Sequence, residues 1–92
     1  MIEDLKVFYA QVAAANAFIN HEDFEVLEER LKRLAKVSER SFEEAAQQFI
    51  EDMQDNIDDY LANEGSNEKA TADNNYLNSF VKYLAQKESE SF

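Results

Sequence analysis

An all-α fold, in the form of a small antiparallel four-helix bundle, is what this 92-residue sequence predicts. Three observations carry that expectation. The chain has no proline and one glycine, whereas turn-rich folds use many of both. Apolar residues recur three or four positions apart in four successive stretches, which is the period of one helix face. Hydrophobic residues make up 45% of the chain, seven Phe and four Tyr among them, enough to close a core at this length despite the charge. Mostly short connections favour antiparallel neighbours. Residues 1–92 therefore read as a single acidic helical domain.

The first helix is placed at 2–19. From Val7 to Ile19 its only polar side chains are Gln11 and Asn16, apart from the Tyr9 hydroxyl. Leu5, Tyr9, Val12 and Ile19 form one face. Val7, Ala14 and Phe18, flanked by Ala10 and Ala17, form nearly the opposite one. A helix that is apolar all round asks for burial on both sides. A small bundle covers one, which makes Val7, Ala14 and Phe18 the candidate dimer or partner surface; the alternative is a helix at the centre of an irregular bundle. The stretch "VFYAQVAAANAF" imitates a cleavable leader, with Ala15-Asn16-Ala17 as its cleavage box. The preceding "MIEDLK" carries two acids and one Lys, the wrong sign for such a leader, so the segment reads as a structural helix.

The second helix is placed at 21–37, with Asn20 as its N-cap and Glu22 and Asp23 in its first turn, where the helix dipole favours acids. Phe24, Leu27, Leu31 and Leu34 give it one apolar stripe. "SFEE" at 41–44 is a capping box: Ser41 can accept from the backbone N–H of Glu44 while the Glu44 carboxylate reaches back. It opens the third helix, 42–63, whose stripe runs through Phe42, Ala45, Ala46, Phe49, Ile50, Met53, Ile57, Tyr60 and Leu61. Gly65 is the expected stop. "SNEKATAD" (66–73) reads as a polar loop in which Thr71 or Asp73 caps a fourth helix, 74–86, bearing Leu77, Phe80, Val81 and Leu84. Residues 87–92 are expected to fray.

Most chemistry is excluded by missing parts. His21 is the sole histidine and there is no cysteine, so no disulfide, thiolate metal site, Cys–His pair or multi-histidine centre can form within one chain. One glycine excludes the phosphate-binding and dinucleotide-binding loops. No Glu stands three residues before His21, as a di-iron bundle would require, and there is no EF-hand loop. Carboxylate pairs from Asp52, Asp55, Asp58 and Asp59 would lie on the polar side of a helix, where nothing excludes water. A carrier protein would need an attachment serine after an aspartate; Ser41 follows Arg40 instead. The expectation is a protein that is not an enzyme, with no catalytic residues, no metal and no cofactor, and with His21 on the surface.

Charge supplies the remaining signal. Residues 41–64 hold eight acidic side chains and no Lys or Arg, so most of the chain's net −11 belongs to one helix. At about 100° per residue, Glu44, Glu51, Asp55 and Asp58 fall within roughly 60° of one another, and Asp52 and Asp59 widen that ridge. The second helix and the residues just after it hold five of the nine cations, Arg30, Lys32, Arg33, Lys36 and Arg40, but Glu28 and Glu29 precede Lys32 and Arg33 by four residues, the order that favours local pairs. Lys36 and Arg40 can reach Glu43 and Glu44 but not Asp55 to Asp59. The ridge is expected to face outward.

Such a chain repels nucleic acid and anionic membrane, so the expected partner is a protein with a basic surface. The expected function is an inhibitor or adaptor offering Glu44, Glu51, Asp52, Asp55, Asp58 and Asp59 to that surface, most plausibly on a nucleic-acid-binding protein or nuclease. Glu51, Asp55 and Asp59 step by about 6 Å each, similar to neighbouring backbone phosphates. That is the nucleic-acid-mimic principle of small anti-restriction, anti-CRISPR and nuclease-immunity proteins, although no family motif is present. The alternative is a self-associating structural or regulatory module, a homodimer through the first helix. The absence of cysteine and of any apolar run of membrane-spanning length fits a cytoplasmic protein.

Overall fold

The long apolar-periodic stretches, uninterrupted by proline, form helices throughout. A computed structural model describes residues 2–64 and 68–90, with side chains for 5–62 and 68–88. The order is α1 (Ile2–Ile19), α2 (Phe24–Val37), α3 (Phe42–Glu64) and α4 (Glu68–Glu90), with no strand among the described residues. This is the all-α, four-helix class that the sequence predicts. Two compact units divide the chain, Met1–Phe49 and Ile50–Phe92, the division falling within α3.

In the first unit α1 packs on α2. Ala10, Ala14, Ala17 and Phe18 of α1 are buried, as are Leu27, Leu31, Leu34 and Ala35 of α2. The alanines leave room for a neighbouring helix to approach, and the leucines supply the apolar bulk that stabilises the pair, at about 25 cal/mol per Å² removed from water. Ala45, Ala46 and Phe49 at the start of α3 complete this core, with the Phe49 ring edge-on to Phe18 at 6.1 Å between centroids. Glu28 is buried too, its carboxylate 3.7 Å from the ammonium of Lys32 one turn on.

The α1–α2 connection differs from the expectation. Asn20 does not cap α2; its N–H still bonds the Asn16 carbonyl, and it belongs to the end of α1. His21 then turns left-handed at φ 49°, its N–H bonding Phe18 O and that of Glu22 bonding Ala17 O, both at 3.0 Å. These are the two closing bonds of a Schellman motif. They use the residues through Glu22, so α2 starts at Phe24 rather than 21, with Asp23 in the capping position but making no side-chain cap bond. The end of α2 repeats the device. Glu39 sits at φ 57°, with Glu39 N–H to Lys36 O and Arg40 N–H to Ala35 O, while the Ser38 hydroxyl donates to Leu34 O at 2.6 Å.

Both left-handed positions hold residues with a Cβ where glycine is usual. Replacing either by glycine is therefore expected to raise stability by about 0.5–1 kcal/mol. Glu39→Gly should gain more than His21→Gly, because histidine tolerates this region better than glutamate. Urea denaturation of the two variants measures it; a loss of stability in both would refute the reading.

The capping box opens α3 as expected. The Glu44 N–H donates to Ser41 Oγ at 3.1 Å, and the Ser41 hydroxyl lies 3.3 Å from Glu44 Oε1.

In the second unit Ile57, Ala70, Leu77 and Phe80 are buried. The Gln54 amide of α3 donates to Asn74 Oδ1 of α4 at 3.2 Å. The fourth helix begins at Glu68, not near 74, and runs to Glu90, not 86. Residues 68–73 are thus helical rather than loop, and neither Thr71 nor Asp73 is a cap. Asp73 instead holds Lys69, one turn back, at 3.0 Å, while Ala70 faces the core. Glu68 lies in the first turn and Lys87 in the last, both on the side the helix dipole favours. Lys87 also sits 5.3 Å from the Tyr83 ring centre. Gly65 and residues 91–92 lie outside the described residues. Tyr60 and Val81, both assigned to apolar stripes, are 50% and 40% exposed.

Candidate functional site

The 3.6-residue period of α3 sorts its side chains. Phe49 and Ile57 turn inward, and the acids emerge on the other side. Glu44, Glu51, Asp52, Asp55, Asp58 and Asp59 are all exposed, the orientation the sequence reading expects. They divide by role. Glu44, in the first unit, is engaged by the Ser41 capping box, and the Arg40 guanidinium reaches its backbone carbonyl at 3.3 Å. Glu51, Asp52, Asp55, Asp58 and Asp59 lie in the second unit. There Gln54 donates to Asp58 Oδ1 at 2.9 Å, which, with its bond to Asn74, fixes one carboxylate against the α3–α4 pair.

No Lys or Arg occurs along α3 itself. Elsewhere Lys32 lies by Glu28, Lys69 by Asp73 and Lys87 over Tyr83. Asp55 has Glu51, Asp52, Asp58 and Asp59 all three or four positions away, the spacing at which like charges on a helix repel.

The apolar faces of α1 exchange roles relative to the sequence reading. The candidate dimer surface, Val7, Ala14 and Phe18, is not a surface. Ala14 is 0% and Phe18 3% exposed, and Val7 is partly covered. The physical reason is the run of alanines on that side, which allows the closer helix packing. The bulkier side is the outward one: Leu5, Phe8, Tyr9, Val12 and Ile19 are between 39% and 67% exposed. Phe8 belongs to this face although the sequence reading left it unassigned. Its ring meets Tyr9 edge-on at 6.0 Å.

His21 is exposed and terminates a helix. Among the described residues no three His, Asp or Glu side chains are grouped to hold a metal ion, and no helix is long and apolar enough to cross a membrane. The fold and site together define a small all-α protein with one carboxylate-rich helix face. No protein-family model, no curated protein and no solved structure matches the chain, so its function is argued from these surfaces alone.

Proposed function

We propose that this chain is a small cytoplasmic inhibitor or adaptor that presents the carboxylates of α3 to a basic protein partner, most plausibly a nuclease or other nucleic-acid-binding protein. The observation that carries the reading is the outward placement of Glu51, Asp52, Asp55, Asp58 and Asp59 on a helix without a single Lys or Arg. Concentrated like charge costs helix stability, and it complements the surfaces that nucleic-acid-binding proteins use for phosphate. Binding takes place without catalysis, cofactor or metal, and the negative field speeds encounter with a cationic patch.

The test is capture of partners on the tagged protein from host lysate at about 50 mM and about 500 mM salt, since screening shortens the reach of exposed charges from roughly 14 Å to roughly 4 Å. A basic nucleic-acid-binding protein retained at low salt and released at high salt is the expected result. Partners held equally at both would overturn the acidic mechanism. A second reading, a self-associating helical module, is favoured by the outward apolar face of α1.

A further inference from the structure

Leu5, Phe8, Tyr9, Val12 and Ile19 form one outward stripe on α1, about 21 Å long at 1.5 Å per residue. Isolated exposed apolar residues are ordinary, but five large ones on one helix face, interrupted only by Ala15 and Asn16, mark a contact surface. We infer that its occupant is a second copy of this chain, paired antiparallel about a two-fold axis at Val12.

Three features select that occupant. The first is self-complementarity. In a two-fold pairing, residue i of one copy meets residue j of the other and j meets i, and only a residue on the axis meets its own copy. With the axis at Val12, Leu5 meets Ile19, Phe8 meets Asn16, and Tyr9 meets Ala15. The two aromatic rings thus fall opposite smaller side chains, and the aliphatic ends of the stripe fall opposite each other. A parallel pairing would instead set Phe8 and Tyr9 against their own copies.

The second feature is charge. A chain of net −11 resists meeting its copy. From Val7 to Ile19, however, there is no ionised side chain, so this is the part of the surface where two such chains can approach with least repulsion. The third is area. Five large side chains, each about half exposed, offer on the order of 500 Å² per copy, so a pair would remove on the order of 1,000 Å² from water, at the lower edge of specific interfaces. The dimer is accordingly weak and concentration-dependent. It also tightens with added salt, which screens the repulsion between copies, whereas the partner complex proposed above weakens. The two readings therefore fail separately.

Sedimentation equilibrium tests the inference on the full chain at loading concentrations from about 1 µM to about 1 mM in low and high salt. The wild type is expected to rise from one to two chain masses across that range, at lower concentration in high salt. Phe8→Glu/Tyr9→Glu should stay at one mass with its helical circular dichroism unchanged. A wild type that remains monomeric throughout overturns the proposal, as does a dimer the double variant leaves intact. Should that variant lose its helicity, single cysteines decide, since the chain has none of its own. On mild oxidation Val12→Cys, on the axis, should cross-link to its copy several-fold faster than Gln11→Cys, off the stripe, and equal rates would overturn the pairing.

Discussion

Phe18→Asp is expected to unfold the packing of α1 on α2, whereas Tyr9→Asp, on the opposite side of the same helix, should leave it intact. Phe18 is 3% exposed and edge-on to Phe49. Removing a buried Phe side chain costs about 3–5 kcal/mol, and placing a carboxylate there adds the penalty of burying a charge. Against a total stability of roughly 5–14 kcal/mol for a chain of this size, that sum removes most or all of the margin. Loss of helical ellipticity, or a thermal midpoint lowered by about 20 °C or more, is the expected reading. Tyr9 is 67% exposed, and substitutions at such positions usually stay within about 0.5 kcal/mol. Equal tolerance of both variants would mean that the alanine side of α1 does not face the core. The contrast also gives Phe18→Asp its proper use: it reports on folding, and the stripe through Tyr9 reports on association.

The helices were legible because their signals are local. The apolar stripe of α2 and the Ser41–Glu44 capping box depend on residues within one or two turns of each other, and the structure has both. The connections were less so. Nothing in "INHED" announces a left-handed histidine, since glycine is the usual sign of that conformation; without it, Asn20 looked like the start of α2 when it belongs to the end of α1. Residues 68–73 misled in the opposite way. Their small polar composition suggested loop, but Lys69 and Asp73 are one turn apart with opposite charge, and Ala70 fits a buried helix position.

The surfaces divide similarly. The exposure of the α3 acids follows from periodicity alone, because charges cluster opposite Phe49 and Ile57. Which side of α1 packs inward does not follow, since both sides are apolar. The deciding quantity is how near another helix can come, and Ala10, Ala14 and Ala17 decide it in favour of the smaller side chains. Glu28 was legible as a partner for Lys32 but not as a buried residue; its place among Leu27 and Leu31 depends on tertiary packing.

Asp55 is where stability and the proposed binding come apart most clearly. Four acids stand three or four positions from it, so Asp55→Asn should relieve about 1 kcal/mol of repulsion at low salt, and less as salt screens the charges. Extending the change to Asp58→Asn and Asp59→Asn should gain slightly more. The Gln54 bond to Asp58 can persist, because asparagine keeps a carbonyl oxygen at that position. If α3 is a binding face, the same triple variant should lose affinity for the salt-sensitive partner by about 100-fold or more, since each charged contact at a desolvated interface is worth about 1–2 kcal/mol or more. A gain in stability with a loss of binding is the signature of a surface kept against the interest of the fold. A gain in stability with binding unchanged would identify the acids as a solvated face and would sink the inhibitor proposal. Thermal melts in low and high salt and titration against the captured partner separate these outcomes, and melts of wild type and variant run at about 1 µM, the low end of the self-association range, keep an α1 dimer out of the comparison.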